Sequence, residues 1–357
     1  MKKRDSNFEL LRIVAMLLIV AFHTFRYIDT TGFNAAQMLA YHAVRWYGLL
    51  GVNCFVMISA WFTVGRHTSP AKLKPLLTQT LFYLVLLFGC HIIYQLARGR
   101  FSWAQDVWQL ELDGLFAPLW SDRYWFITAY IGMYLLIPVM NRWIASLDRI
   151  HFDRVILWGS VILFVFVSFP QTTRNTSILA DVLWLCYVYM VTAWLKLHHS
   201  GNVYERHAAP LFLGGWALFL ASRLVMNMAS HTLHPYLHLE RHLSWLLAHT
   251  FGSNLRYSFM MLYLAIGLFY LFGRLHFQSR IVNTIAGCTF GVYLLHENPV
   301  FHLCELLATG ALLPAWPRIM PLPLFMVTLV LGQFTLGVLL ELVRKRISAC
   351  IAAHHRR

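Results

Sequence analysis

The chain is short of charge, and of negative charge above all. Charged residues make up 12% of its 357 positions, with 15 acidic against 29 basic side chains, about half the charged share of an ordinary soluble domain. So little charge excludes a solvated globular surface. Cysteine is sparse and unpatterned: Cys54, Cys90, Cys186, Cys288, Cys304 and Cys350 are scattered, with no C-x-x-C pair and no Cys/His ligand spacing. A disulfide framework and a structural zinc site are therefore not expected. Long polar segments, low-complexity linkers and internal repeats are also missing, which leaves no room for a soluble appendage.

What fills the chain is apolar. Hydrophobic residues account for 59% and the mean hydropathy is +0.57. Runs long enough to cross a hydrocarbon core of about 30 Å recur near residues 8 to 28, 44 to 64, 76 to 97, 123 to 143, 154 to 169, 177 to 195, 208 to 228, 255 to 273, 281 to 300 and 321 to 343. The expected fold is all-α: a polytopic membrane helix bundle of about ten transmembrane helices. It forms one integral membrane domain over residues 1 to 357, with spans from 8 to 343 and a short basic tail at 344 to 357.

The formal net charge of +14 invites a nucleic-acid reading, but its distribution points elsewhere. "MKKR", "GRHTSPAKLK", "NRWIASLDRIHFDR", "KLHHSGNVYERH", "GRLHFQSR" and "RKRISACIAAHHRR" all fall on one side of a ten-helix arrangement. Short cytoplasmic loops retain Lys and Arg, so both termini are expected in the cytoplasm and no nucleic-acid partner is expected. The basic start resembles a signal peptide, yet Arg12 interrupts the apolar stretch and no small-residue cleavage site follows His23. It reads as a retained first span.

That span, "FELLRIVAMLLIVAFHTF" at 8 to 25, carries Glu9, Arg12 and His23. Charged groups at membrane depth cost a few kcal/mol each and face a bundle interior, pair with one another, or mark a functional path. Arg12 and His23 are eleven residues apart, three helical turns plus about 20°, so they share one face roughly 16 Å apart along the axis. Glu9 and Arg12 stand at i, i+3 and can also satisfy each other.

An Arg, ten residues and a His in a first span resemble the signature of the acyltransferase-3 family, membrane enzymes that O-acylate sugars and other cell-surface polymers. Three further stretches match in order: "GLLGVNCFVMISAWF" at 48 to 62, "YWFITAYIGMYLLIPVMN" at 124 to 141, and "TFGVYLLHENPV" at 289 to 300. Two positions depart from the family pattern. Ala60 stands where Gly commonly follows the Ser, and Lys72 and Lys74 occupy a stretch often rich in arginine. Lysine grips phosphate as a point charge, without the guanidinium fork.

The resemblance implies an acyl-CoA donor, acetyl-CoA above others, and an acceptor hydroxyl on a glycan or lipid-linked saccharide. A hydroxyl needs a general base to attack near neutral pH, the range of histidine, and His23 is the candidate for that base or, as the alternative, for a transient acyl carrier. Arg12, Arg66, Lys72 and Lys74 are candidates to hold the CoA phosphates. Glu297 or Asp181 would orient His23, although Glu297 can equally be a hydrated helix end and Asp181 a partner of Arg223. Arg123, Tyr124, Trp125, Tyr293 and His296 fall at the same depth and are candidates for the acceptor site. Asn53 and Ser59 read as interhelical hydrogen-bonding groups. His234, His238 and His242 have helical spacing but no H-E-x-x-H pattern, so the stretch reads as an amphipathic helix at the interface and no metal is expected. Bilayer lipids surround the spans, a bacterial inner membrane is the expected location, and self-association into a homo-oligomer is left open. The competing reading is a transporter or flippase for lipid-linked sugars, in which buried charges line a path.

Overall fold

The computed structural model describes residues 5–25, 30–103, 124–168, 178–198, 201, 203–232, 257–298 and 321–354. Every regular element in them is helical. In chain order they are α1 (Asn7–Thr24), α2 (Ala35–Arg45), α3 (Gly48–Thr63), α4 (Lys74–Ala97), α5 (Trp125–Ser146), α6 (Arg149–Ser168), α7 (Ile178–His198), α8 (Val203–Arg206), α9 (Ala208–Thr232), α10 (Phe259–Gly273), α11 (Arg280–Ala286), α12 (Thr289–His296) and α13 (Leu322–His354).

Among the described residues, six stretches are apolar and long enough to cross a bilayer: Asn7–Thr24, Ala35–Thr63, Pro70–Ala97, Ile178–His198, Ala208–Val225 and Leu322–Ile351. Helices α5 and α6 run 22 and 20 residues, about 33 and 30 Å at the helical rise. Their outward faces confirm the solvent. Leu81, Val85, Ile93, Val139, Ile162 and Leu339 are each more than half exposed, a surface that would aggregate in water and that hydrocarbon covers. The protein is an all-α membrane helix bundle.

Helix starts follow local chemistry. Asn34 and Gln37 form a reciprocal capping box at α2, while Ser258 and Ser279 accept from the backbone N–H groups of Met261 and Val282 at α10 and α11. Pro75 sits in the first turn of α4, where a missing N–H is harmless.

The innermost helix is α3, packed against α1, α7 and α10. Gly51 makes that approach possible: a Cβ there would run into the Ala15 carbonyl oxygen and stand 2.9 Å from Ile19 Cγ1. The same device joins α12 to α13, where a Cβ on Gly291 would stand 2.6 Å from Glu341 Oε2. Polar groups seal further contacts. Asn53 Oδ1 accepts from Trp184 Nε1 at 3.1 Å and Ser59 shares a 2.9 Å hydrogen bond with the Tyr130 hydroxyl.

Four expected spans differ in detail. The stretch at 44 to 64 is preceded by α2 and turns at Trp46 and Tyr47 before α3 begins. The stretch at 255 to 273 is helical from Phe259, for 15 residues. The stretch at 281 to 300 is broken: α11 ends after seven residues at Ala286 and α12 restarts at Thr289. At that break Thr289 Oγ1 donates to the Ala286 carbonyl at 2.8 Å, and Lys345 Nζ donates to the Gly287 carbonyl at 2.6 Å. Both take carbonyls that a continuous helix would use internally. Finally, α13 continues past residue 343 through the basic stretch to His354. His234, His238 and His242 lie outside the described residues.

Candidate active site

Two helix faces line one cavity. Arg12, Met16, Ile19 and His23 of α1 follow the spacing i, i+4, i+7, i+11, and Gly48, Val52, Phe55 and Ser59 of α3 repeat it. Trp125, Phe126 and Tyr130 of α5 and Phe290 and Tyr293 of α12 complete the wall, enclosing about 640 Å³. This volume falls within the range of small-molecule sites. The cavity runs along α1, with Arg12 toward one end and His23 toward the other.

At the His23 end three side chains converge. His23 Nδ1 lies 2.6 Å from Glu297 Oε1 and 2.9 Å from His296 Nε2, and His296 Nε2 lies 3.7 Å from the same carboxylate oxygen. Glu297, the C-cap of α12, keeps helical backbone with its N–H donating to the Tyr293 carbonyl at 3.1 Å, so the last turn of α12, a helix packed against α1, carries both His296 and Glu297 to His23.

Hydrogen-bond roles follow from one backbone contact. His296 Nδ1 is 2.9 Å from the Val292 carbonyl, which can only accept, so that nitrogen carries the proton. In the neutral ring Nε2 is then a bare acceptor. His23 Nδ1 faces that acceptor and the Glu297 carboxylate, so it must be the donor. The neutral His23 ring is left with its lone pair on Nε2, the arrangement a general base requires.

His23, His296 and Glu297 are also the donor types of a two-histidine, one-carboxylate metal site, with ligand atoms all within 4.8 Å of one another. Tetrahedral ligands about 2.0–2.2 Å from zinc lie about 3.3 Å apart. The 2.6 and 2.9 Å contacts to His23 are hydrogen-bond distances, shorter than that separation.

At the opposite end, Arg12 Nη1 donates to both oxygens of Glu9, at 3.2 and 3.1 Å. The pairing anticipated at i, i+3 is present, and Arg12 also lines the cavity. Nearby, the Ser59–Tyr130 pair and the broken helix at Ala286, Gly287 and Thr289 enter the same wall.

Behind the break lies a clasp of buried charge. Glu341 has no solvent exposure. It accepts from Arg344 Nε and Nη2 at 2.7 and 2.6 Å, from the Tyr83 hydroxyl at 2.5 Å and from Gln79 at 3.1 Å. A carboxylate this deep persists because every acceptor direction is used.

The other candidates are distributed as follows. Trp125 and Tyr293 line the cavity. Tyr124 is buried behind it, donating to the Leu294 carbonyl and accepting from Asn298 Nδ2, each at 3.1 Å. His296 is 2% exposed and meets His23 rather than the cavity. Asp181 is buried and accepts from the Tyr257 hydroxyl at 3.1 Å, outside the cavity wall, so Glu297 is the carboxylate that reaches His23. Arg66, Lys72 and Lys74 are exposed and do not line the cavity. Arg123 lies outside the described residues.

Sequence reasoning missed Arg45, which lines the cavity, and Lys345 and Glu341, which shape the broken helix. Arg45 opens an apolar run and reads as loop charge, while the other two read as tail charge. A signal for Arg45 was available: an arginine beside two aromatics at the end of a span opposite the basic loops.

A family model described as an acyltransferase domain, Acyl_transf_3, matches residues 5–340, nearly the whole chain. The chain belongs to the acyltransferase-3 family. Comparison with curated proteins and with solved structures finds no match. Membership makes the protein a membrane acyltransferase, and the match spans α1 and α12, the helices that bring His23 and Glu297 together.

Proposed function

We propose that the protein transfers an acyl group, acetyl above others, from acyl-CoA to a hydroxyl of a cell-envelope or exported saccharide, with His23 as general base. The observation that carries this reading is the convergence of Glu297 and His296 on His23 Nδ1 at one end of a cavity that His23 and Arg12 both line.

In the reaction, the acceptor hydroxyl oxygen attacks the thioester carbonyl carbon while His23 Nε2 takes the hydroxyl proton. The carbon–sulfur bond breaks, and the imidazolium returns that proton to the departing thiolate, giving the ester and free CoA. Glu297 stabilises the transient imidazolium and fixes its orientation, the role a carboxylate plays beside a catalytic histidine. Positioned proton transfer of this kind contributes about 10²–10⁴ in rate.

The positive-inside distribution supports an Arg12 end of α1 on the cytoplasmic side, where acyl-CoA is made, and a His23 end facing outward, and the reading adopts a bacterial inner membrane with both termini inside. Arg12 then holds the anionic part of the donor at the cavity entrance. Arg66, Lys72 and Lys74, exposed on the loop and helix start after α3, add a basic approach to it. The extended pantetheine arm suits a passage that spans about 16 Å between Arg12 and His23. Trp125 and Tyr293 offer aromatic faces to a sugar ring.

A transporter of lipid-linked sugars draws support from the two interrupted helices, α2/α3 and α11/α12, both contributing to the cavity. The discriminating experiment is release of free CoA thiol by the purified protein in nanodiscs, supplied with a cell-envelope saccharide extract as acceptor, across acyl donors of increasing length. Thiol release that saturates with acetyl-CoA is the expected result. No release from any donor would overturn the transfer reading and favour transport.

A further inference from the structure

The side chains that meet at His23 are also a donor set for a soft divalent metal. Two imidazole nitrogens and one carboxylate oxygen, His23 Nδ1, His296 Nε2 and Glu297 Oε1, form a triangle with sides of 2.6, 2.9 and 3.7 Å. Three atoms so placed lie on a circle of radius about 1.9 Å, and a cation about 0.9 Å out of their plane stands about 2.05 Å from all three, within the bond range of zinc to nitrogen and oxygen. Opening the two short sides to the tetrahedral separation takes a retreat of His23 by about 0.4–0.7 Å. His23 lines the cavity and its side chain is 15% exposed, so open space lies on one side of it for that movement.

Three features prepare the set for metal. His296 carries its proton on Nδ1, 2.9 Å from the Val292 carbonyl, which aims Nε2 at the site; a carbonyl behind a ligating histidine is the usual support of a metal centre. His296 and Glu297 belong to one helical turn, so two of the three ligands share a rigid segment. The remaining coordination position opens on the cavity that His23 and Glu297 line, where a water completes a three-ligand zinc site. Imidazole selects zinc over magnesium and calcium. Zinc here and proton transfer exclude each other. Coordination takes the lone pair of His23 Nδ1, so that nitrogen gives up its proton and the neutral ring carries a proton on Nε2 instead. Nε2 then has no lone pair for the acceptor hydroxyl, and Glu297 turns from the imidazole to the cation. We propose that His23, His296 and Glu297 form an inhibitory zinc site, at which the cation stops acyl transfer reversibly by occupying the base and its carboxylate. The inhibition rests on the acyl-transfer reading; the metal site itself does not. Such a cation is the opposite of a resident catalytic metal, because removing it leaves turnover intact or raises it.

The test is calorimetric titration of zinc chloride into the untagged full chain in phosphatidylcholine nanodiscs after chelator treatment, beside His23→Gln, His296→Gln and Glu297→Gln. Wild type is expected to bind one zinc ion per chain tightly, and each variant to bind it about tenfold or more weakly. Glu297→Gln keeps the side-chain volume and serves where a histidine variant fails to elute as wild type. Magnesium chloride is expected to show no such binding, since magnesium prefers an octahedral set of oxygens. Cys350 and His354, exposed four residues apart on α13, are competing surface ligands, and Cys350→Ser is expected to keep the tight site. In parallel, transfer of radiolabelled acetyl from acetyl-CoA to a cell-envelope saccharide extract is followed with and without zinc; the label is used because zinc captures free CoA thiol. Transfer by wild type is expected to fall at least about tenfold at saturating zinc and to return on adding EDTA. No tight binding, or tight binding that all three variants retain, overturns the site, and cluster-dependent binding that leaves transfer intact overturns the inhibition. Cluster-dependent binding by a protein that transfers nothing even without zinc keeps the site and removes the acyl-transfer reading. Transfer indifferent to zinc, without cluster-dependent binding, does the reverse.

Discussion

Each residue of the His23 cluster has a separable job. Glu297→Gln keeps the size and a hydrogen-bond acceptor but loses the negative charge that stabilises imidazolium. It is expected to lower kcat by roughly 10²-fold with the KM for acyl-CoA nearly unchanged, measured by CoA release. A KM rise with kcat intact would move Glu297 to substrate binding. Arg12 carries two duties at once, because its guanidinium both faces the cavity and holds the buried Glu9. Arg12→Ala is expected to weaken acyl-CoA binding about tenfold or more, and also to lower thermal stability by removing a charged partner from the buried Glu9. Glu9→Gln separates the two: donor affinity should persist if Arg12 serves the donor, and should fall equally if the pair is purely structural.

Legibility at this scale depends on contrast. Arg12 and His23 stand out because each interrupts an apolar run, and helical geometry then puts them on one face. The role of His296 is not legible. Its Nδ1 contact with the Val292 carbonyl belongs to the turn of α12, and no spacing rule distinguishes it from a substrate contact. Asp181 and Glu297 read alike as carboxylates at similar depth; only the packing of α12 against α1 selects Glu297.

At the scale of elements, the broken late span does most to build the site. The restart at Thr289 separates α12 from α11, and the last turn of α12, a helix packed against α1, presents His296 and Glu297 to His23. Lys345 holds the Gly287 carbonyl at the break, and Glu341 anchors the neighbouring turn of α13. Lys345→Met is expected to reduce kcat several-fold and to lower the unfolding temperature modestly, in line with loss of a hydrogen bond to a charged donor, about 1.5–3 kcal/mol. Glu341→Leu removes the shared acceptor of three side chains and should cost more; fluorescence-monitored thermal unfolding in detergent checks the order. A larger loss for Lys345→Met than for Glu341→Leu would refute the clasp. Glycine, cysteine and threonine in succession are ordinary in membrane helices, which is why the interruption is invisible in the hydropathy pattern.

Across the whole molecule, the bilayer explains what the composition lacks. Low charge, exposed aliphatic faces on α4, α6 and α13, and interhelical pairs such as Ser59–Tyr130 and Asn53–Trp184 belong to a bundle whose backbone is satisfied helix by helix. The fold class and most helix positions are legible, because a span is set by length and hydropathy alone. The cavity is not, since it arises where several helix faces meet. Because the His23 cluster is held at hydrogen-bond spacing, turnover is expected to withstand chelation: prolonged EDTA treatment should leave CoA release within about twofold, the change expected when no metal-bound water is engaged. Loss on chelation with recovery on zinc would recast His23, His296 and Glu297 as ligands.

The central claim, that His23 moves the proton in acyl transfer, is tested most directly by acyl release from radiolabelled acetyl-CoA in the presence of a cell-envelope saccharide extract as acceptor, comparing wild type with His23→Ala in nanodiscs. The account predicts saturable release by wild type and a fall of at least about 10²-fold in the variant, with both proteins eluting identically on size exclusion. Equal release by the two would contradict it.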